Sequence, residues 1–248
     1  MIELELEDAV QFKKAIGAIS VLIDEAEFVI DQNAFSLKAT DPSQISMVDF
    51  LLPKSAFKTY DVANTTKIGL DLSYLSGILN RAKSGDSLKL QLDDKGRFNL
   101  TFKNGSKRQF SIPLIDISST NVPSPKIEFD AEMVVSGSAL VDGLKDATLI
   151  SSHITIGVDA EKFFLKAISN KGTLNNEISK KDKGLKDFHV KKECRAMFPL
   201  DYMSNMLKGA SSDTDVKVFL KANAPIKLSY GIGNVQLTFF LAPRIETE

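Results

Sequence analysis

Residues 70–92 read LDLSYLSGILNRAKSGDSLKLQL, and residues 199–220 read PLDYMSNMLKGASSDTDVKVFL. At a constant offset of 128 residues, Leu72, Tyr74, Ser76, Leu79, Ala82, Ser84 and Lys89 meet Leu200, Tyr202, Ser204, Leu207, Ala210, Ser212 and Lys217. Working outward, the same offset of 128 pairs Phe35, Leu37, Lys38 and Ala39 with Phe163, Leu165, Lys166 and Ala167. Nearer the start of each copy, Phe12, Ala15, Ile16 and Ile19 form an i, i+3, i+4, i+7 stripe that recurs as Leu140, Gly143, Leu144 and Ala147. Three separate segments in one register point to a duplication. The spacing predicts two copies of one domain, 1–115 and 128–248. A polar connector, 116–127 (DISSTNVPSPKI), joins them; Pro123 and Pro125 hold it extended at the surface.

Each copy carries two helix patterns among many strands. The first helix is expected at Ala9–Ser20 and Gly137–Thr148, the second at about Leu72–Ala82 and Leu200–Gly209. Asp71, Ser73 and Asp201 are candidate N-caps, and Gly85 and Gly209 candidate stops. FVIDQNAFSLKATD alternates around a turn at Asp31–Asn33. SLKLQLDDKGRFNLTF is a hairpin turning at Asp94–Gly96, and VKVFLKANAPIKLSY turns at Asn223–Ala224. The charged run Lys180–Lys192 reads as a mobile loop. The pattern predicts an α+β fold, two helices of each copy packed side by side on antiparallel sheet.

Composition narrows the function. Hydrophobic residues are 43% and charged residues 25% of 248, so each copy has material for a core. The net charge of -1 excludes a protein that is basic all over, so any nucleic-acid contact must be local or loose. One cysteine, Cys194, excludes an intramolecular disulfide, and with only His153 and His189 a Cys/His zinc site is hard to build. The acidic N-terminus MIELELEDAV lacks the features of a secretory signal, and no uncharged run reaches the roughly 18 apolar residues of a membrane span. A soluble intracellular protein with no cofactor is expected. No GxSxG, HExxH, P-loop or GxGxxG motif is present, which leaves a hydrolytic enzyme as a remote alternative.

The segments AFSLKATDPSQISMVDFLLPKSAFKTY (34–60), IGLDLSYLSGILNRAKSGDSLKLQL (68–92), PLDYMSNMLKGA and the terminal PIKLSYGI…FFLAPRIE resemble, in order and over nearly the whole chain, the PCNA (proliferating cell nuclear antigen) family of sliding DNA clamps. The absence of a long acidic tail after Glu248 suits an archaeal member. The resemblance implies a homotrimeric ring around duplex DNA, helices lining the hole and sheets outside. It implies a processivity factor for DNA polymerase and a docking scaffold for replication and repair proteins. It also implies a location in cytoplasm with the nucleoid, or in a nucleus if the source is eukaryotic. A subunit of a heterotrimeric or checkpoint-type clamp is the alternative.

The resemblance also assigns residues. Lys13, Lys14, Lys145 and Lys208 are expected to face the DNA, with Arg81 and Lys83 beside them. Helical lysines at wide spacing suit sequence-independent phosphate attraction. The subunit seam is expected to pair an edge strand near Lys107–Leu114, carrying Phe110 and Ile112, with one near Thr173–Lys180, carrying Leu174 and Ile178. Arg81, Lys83 and Arg108 are expected to meet Asp142 and Asp146 across it. The family binds short motifs, the PIP box, with a Gln, an aliphatic residue and two aromatics. The matching groove positions are Thr40, Ile45, Met47, Val122, Pro123, Pro225, Phe240, Leu241, Ala242, Pro243 and Ile245; Met47, Phe240 and Ile45 also read as sheet core. Thr120 stands where a larger aliphatic is usual. Clamp loader, DNA polymerase, flap endonuclease and DNA ligase are the partners the resemblance implies.

Overall fold

Strands that alternate one apolar residue inward and one polar residue outward must lay their apolar face against something, and here each copy's two amphipathic helices cover it. A computed structural model of the chain describes residues 2–117 and 122–244. The first copy runs β1 (Ile2–Leu6), α1 (Ala9–Ile19), β2 (Glu25–Ile30), β3 (Ala34–Thr40), β4 (Ser46–Pro53), β5 (Thr59–Val62), β6 (Thr66–Asp71), α2 (Leu72–Leu79), β7 (Ser87–Leu92), β8 (Arg97–Asn104) and β9 (Ser106–Pro113). The second repeats it: β10 (Ala131–Ser136), α3 (Gly137–Thr148), β11 (His153–Val158), β12 (Lys162–Ser169), β13 (Gly172–Ser179), β14 (Leu185–Val190), β15 (Cys194–Pro199), α4 (Leu200–Met206), β16 (Asp215–Leu220), β17 (Ile226–Ile232) and β18 (Val235–Leu241).

The duplication extends to topology. In the first copy the strand orders are β5-β1-β7-β8-β9 and β6-β2-β3-β4; in the second they are β14-β10-β16-β17-β18 and β15-β11-β12-β13. Helix packs on helix within each copy, α1 on α2 and α3 on α4. The chain forms two compact units, one of Met1–Pro42, Val48–Val122 and Ile232–Leu237, the other of Ser43–Met47, Pro123–Gly231 and Thr238–Glu248.

Cores differ in detail. In the first copy Phe12 of α1 meets Phe35 and Phe50 edge-on at 5.7 and 6.3 Å, and Phe28 completes the cluster at 4.8 Å from Phe35. Each such ring contributes about 1.5–3 kcal/mol by burial. In the second copy α3 packs close against its sheet at Gly143, where a Cβ would lie 2.4 Å from Leu165 Cδ1.

Caps follow residue chemistry. Asp8 accepts from the Val10 N–H at 2.8 Å, Asp71 from the Tyr74 N–H at 2.8 Å and Ser136 from the Ala139 N–H at 3.4 Å. Ser73 and Asp201 do not cap, because Asp71 and Pro199 hold the cap positions. The second helices end at Leu79 and Met206, short of Ala82 and Gly209, because the chain tightens into i→i−3 bonds: Arg81 N–H to Ile78, Ala82 N–H to Leu79, Lys208 N–H to Asn205 and Ala210 N–H to Leu207. Gly85 stops no helix; at φ +80 it turns the chain into β7.

The Lys180–Lys192 segment is not a simple loop. Leu185–Val190 is β14, paired antiparallel with β10 across a bulge between Glu132 and Val134. His189 therefore stands on a strand, and Cys194 lies within β15, buried.

Candidate functional site

Three surfaces were expected, and the helix faces come first. Lys14, Arg81, Lys83, Lys145 and Lys208 are exposed and Lys13 half-exposed. Lys13 sits on the face of α1 that meets the end of α2, where its Nζ donates to the Asn80 carbonyl at 3.3 Å. Lys145 Nζ lies 3.2 Å from Asp142 Oδ1, one turn away on α3. Such an exposed pair contributes little, about 0–1 kcal/mol, and leaves the ammonium free to exchange partners.

Arg108 brings its guanidinium to a carboxylate absent from the expected set, Asp86, while Lys83 and Arg81 take part through a backbone N–H and a carbonyl. Asp86 is 1% exposed. It accepts from the Lys83 N–H at 2.7 Å and pairs with Arg108, whose other nitrogen donates to the Arg81 carbonyl at 2.8 Å. Burial alone would raise the Asp86 carboxyl, but the Lys83 N–H and the Arg108 guanidinium outweigh it and hold it below the usual carboxylate range. Arg108 also lies over the Phe102 ring, 5.2 Å from its centre.

The second surface is a pair of sheet edges. β9 ends the order β5-β1-β7-β8-β9 and β13 ends the order β15-β11-β12-β13, so among the described residues each has one unpaired side. Phe110 and Leu174 are half-exposed there. Ile112 and Ile178 turn inward, 2% and 9% exposed, so at the edge they offer backbone and not side chain. Phe110 is braced edge-on against Phe102 at 5.9 Å.

The third surface divides by unit. In the first unit Thr40 and Val122 come together in a depression of about 750 Å³ on the outer face of β2, β3, β4 and β6, with Ile117, Leu51 and Val29. The connector reaches this face through Gly69 on β6, whose carbonyl accepts from the Ile115 N–H at 3.0 Å. A Cβ at Gly69 would lie 2.1 Å from the Ile115 carbonyl oxygen, so the approach requires glycine. In the second unit the Ala242 N–H donates to the Ile45 carbonyl at 2.8 Å. Ile45, Ala242, Pro243 and Pro225 are half-exposed and Pro123 is exposed. Met47, Phe240 and Leu241 are 5%, 9% and 0% exposed, and so belong mainly to the sheet core. Thr120 and Ile245 lie outside the described residues.

The tail has a further anchor. The Arg244 N–H donates to the Met197 carbonyl at 2.7 Å, and its guanidinium stands 3.0 Å from His153 Nε2. Burial, then the Arg244 charge, push the His153 imidazole below its usual value, with Asp201 opposing. Gly69, Asp86 and the His153–Arg244 contact were not legible in the sequence; a glycine inside the strand pattern TKIGLD was the one local signal for the first.

Among the described residues no three His, Cys, Asp or Glu side chains gather as metal ligands. Burial pushes the Cys194 thiol up to about 11, which leaves it a poor nucleophile near neutrality. Among the described residues no helix is long and apolar enough to cross a membrane.

Comparison with known proteins agrees along the whole chain. Residues 1–122 match the family model described as proliferating cell nuclear antigen, N-terminal domain, and residues 124–245 match that of its C-terminal domain. A DNA polymerase sliding clamp of Methanococcus maripaludis is 37% identical over 244 residues, 95% of this chain and 96% of the relative. One of Pyrococcus furiosus is 34% identical over 245 residues, 98% of each. The crystal structure of PCNA from Thermococcus kodakaraensis superimposes with a TM-score of 0.95 at 26% identity, over 98% of this chain and 100% of that one. A. fulgidus PCNA, solved with the C-terminal region of FEN-1 bound, superimposes with a TM-score of 0.90 at 25% identity, over 100% of both.

Proposed function

The chain belongs to the proliferating cell nuclear antigen family, and from that premise we propose that it is a sliding DNA clamp: a homotrimeric ring that encircles duplex DNA, keeps a DNA polymerase on its template and docks replication and repair proteins. The observation that carries the ring is the pair of open edges, β9 at the end of one sheet and β13 at the end of another. Edge strands seek partners. Two different edges on one chain permit head-to-tail addition, and such an interface closes when the rotation per subunit is right. Arg81, Lys83 and Arg108 beside β9 and Asp142 and Asp146 on α3 supply opposite charges for that seam. In this reading Arg108 exchanges part of its hold on Asp86 for the partner.

DNA contact is assigned to Lys13, Lys14, Lys145 and Lys208, with Arg81 and Lys83 at the margin. All are flexible cations with no base-reading geometry, as sliding requires. Docking is assigned to the connector face around Thr40 and Val122 and to the tail around Ile45, Ala242 and Pro243. The complex of A. fulgidus PCNA with the C-terminal region of FEN-1 supports a flap endonuclease as one occupant; clamp loader, polymerase and ligase are proposed to use the same surface. No catalytic step is assigned to the chain. Its place is with the nucleoid in the cytoplasm.

The test is absolute mass by light scattering across a dilution series. One chain is 27.2 kDa, so a closed trimer is expected near 82 kDa (three times 27.2). Leu174→Glu, which places a charge on the open side of β13, is expected to shift the mass toward one chain. A wild-type monomer at every concentration would overturn the homotrimer and point to a heteromeric clamp lacking its sister chains.

A further inference from the structure

The two copies share a topology but not the charge of one segment, the one that leads into an edge strand. Residues 180–192 (KKDKGLKDFHVKK) hold six lysines against two aspartates, in a chain of net charge -1. The stretch 128 residues earlier, 52–64 (LPKSAFKTYDVAN), holds two lysines and one aspartate. These stretches contain the equivalent strands β14 and β5, each at the end of its sheet order. The same topology thus forms with and without the extra lysines, so folding does not explain them.

They are also held in place. The Lys180 N–H donates to the Glu161 carbonyl at 2.8 Å, the Ser136 N–H to the Gly184 carbonyl at 2.9 Å, and the Lys191 N–H to the Asp130 carbonyl at 2.8 Å. Two of the six charges are engaged locally, Lys180 with Glu161 at 2.6 Å and Lys186 with Asp215 at 3.0 Å. Lys181, Lys183, Lys191 and Lys192 are exposed and make no ion pair among the described residues. Lys180, Lys191 and Lys192 line one shallow depression of about 340 Å³ with Phe188, Val190 and a single acid, Glu193.

We propose that the 180–192 segment, the turn into β14 and the edge strand itself, is a second phosphate-contacting surface for duplex DNA, distinct from the helix faces; the proposal rests on the clamp reading. Ser136 caps α3, and through Gly184 the turn before β14 abuts that end of the helix. The helix itself carries one lysine, Lys145 in its last turn, against Asp142 and Asp146, so the exposed lysines of 180–192 form a basic surface of their own. Duplex DNA presents about one charge per 1.7 Å of axis, which four separated, mobile ammonium groups can follow without a shaped pocket. The depression is too open and too mixed in sign to single out one anionic side chain.

The test uses the full chain and a fluorescein-labelled linear duplex of mixed sequence, titrated by anisotropy at several salt concentrations. Neutralising Lys181, Lys183, Lys191 and Lys192 to Gln is expected to weaken binding at least about tenfold at low salt. It should flatten the log K against log salt slope by about 0.9 per lost contact, roughly 2–4 in all. Mass and circular dichroism serve as checks that the variant is folded. Lys54→Gln with Lys58→Gln, in the equivalent segment, should change nothing. Lys13→Gln with Lys14→Gln reports on the helix face. If that pair weakens binding and the 180–192 variant does not, this proposal fails and the clamp reading stands. If neither weakens it, the DNA-facing assignment itself fails, and this proposal with it. A 180–192 variant that binds DNA normally but loses a polyglutamate peptide would assign the surface to an acidic protein and overturn the DNA proposal.

Discussion

Asp86 carries an unusual share of the first copy's polar architecture. It is 1% exposed, and it ties the turn after α2 to the edge strand β9 through Lys83 and Arg108. A folded carboxyl held below its ordinary 3.8 contributes stability that is present above that value and is lost as pH falls through the lower, folded one. Asp86→Asn keeps the shape but leaves Arg108 facing a neutral amide. The expected cost is about 2–3 kcal/mol at pH 7, as for a hydrogen bond to a charged group. In urea unfolding the gap between wild type and variant should stay constant from pH 7 to about pH 5 and close below about pH 4. A gap that persists undiminished to pH 3 would mean that the carboxylate charge is not what stabilises the turn. Nothing local in RAKSGD marks this aspartate, because its partner Arg108 lies on a strand reached only after β7 and β8. His153 and Arg244 are further apart still, 91 residues, so composition and periodicity could not join them.

At the scale of elements, sequence pattern worked where one face is buried and failed where it is not. α1 and α3 were legible because their apolar stripes are the faces that pack: Phe12, Ala15, Ile16 and Ile19, and Leu140, Gly143, Leu144 and Ala147, are all buried. β14 was not legible, because as an edge strand it buries only Leu185 fully and shows its other residues in part or whole to solvent. The candidate surfaces divide the same way. Thr40 and Val122 line one depression, whereas Met47, Phe240 and Leu241 are buried in the sheet. The contact of the connector with β6 hung on a single glycine. Gly69→Ala places a methyl 2.1 Å from the Ile115 carbonyl oxygen, a backbone atom that cannot rotate away. The expected result is a loss of about 1–3 kcal/mol and displacement of residues 114–117 from β6, seen as faster amide exchange at Ile115. Affinity for a fluorescent PIP-box peptide should fall while the mass by light scattering stays that of the wild type. If Ile115 exchange and peptide affinity both match wild type, the connector does not depend on this approach.

For the whole molecule the decisive quantity is the mismatch between charge and task. Thirty-one basic and 32 acidic side chains leave no general attraction for DNA, so retention on a template cannot come from affinity alone. In the proposed ring the exposed lysines on the helix faces would supply a weak, salt-sensitive hold and topology the rest, because a closed trimer leaves a circle only by opening. The two sources separate cleanly with salt. After loading onto a nicked circular plasmid by a clamp loader, the protein is expected to stay on the circle at about 0.5 M salt, where the Debye length is only about 4–5 Å and surface attraction is largely screened. Cutting the plasmid once with a restriction enzyme should then release it within the time needed to slide to an end. The readout is the fraction of labelled protein co-eluting with plasmid on gel filtration before and after the cut. Release from uncut circles at that salt would show that electrostatic attraction and not enclosure holds the chain to DNA, and the closed ring would have to be abandoned.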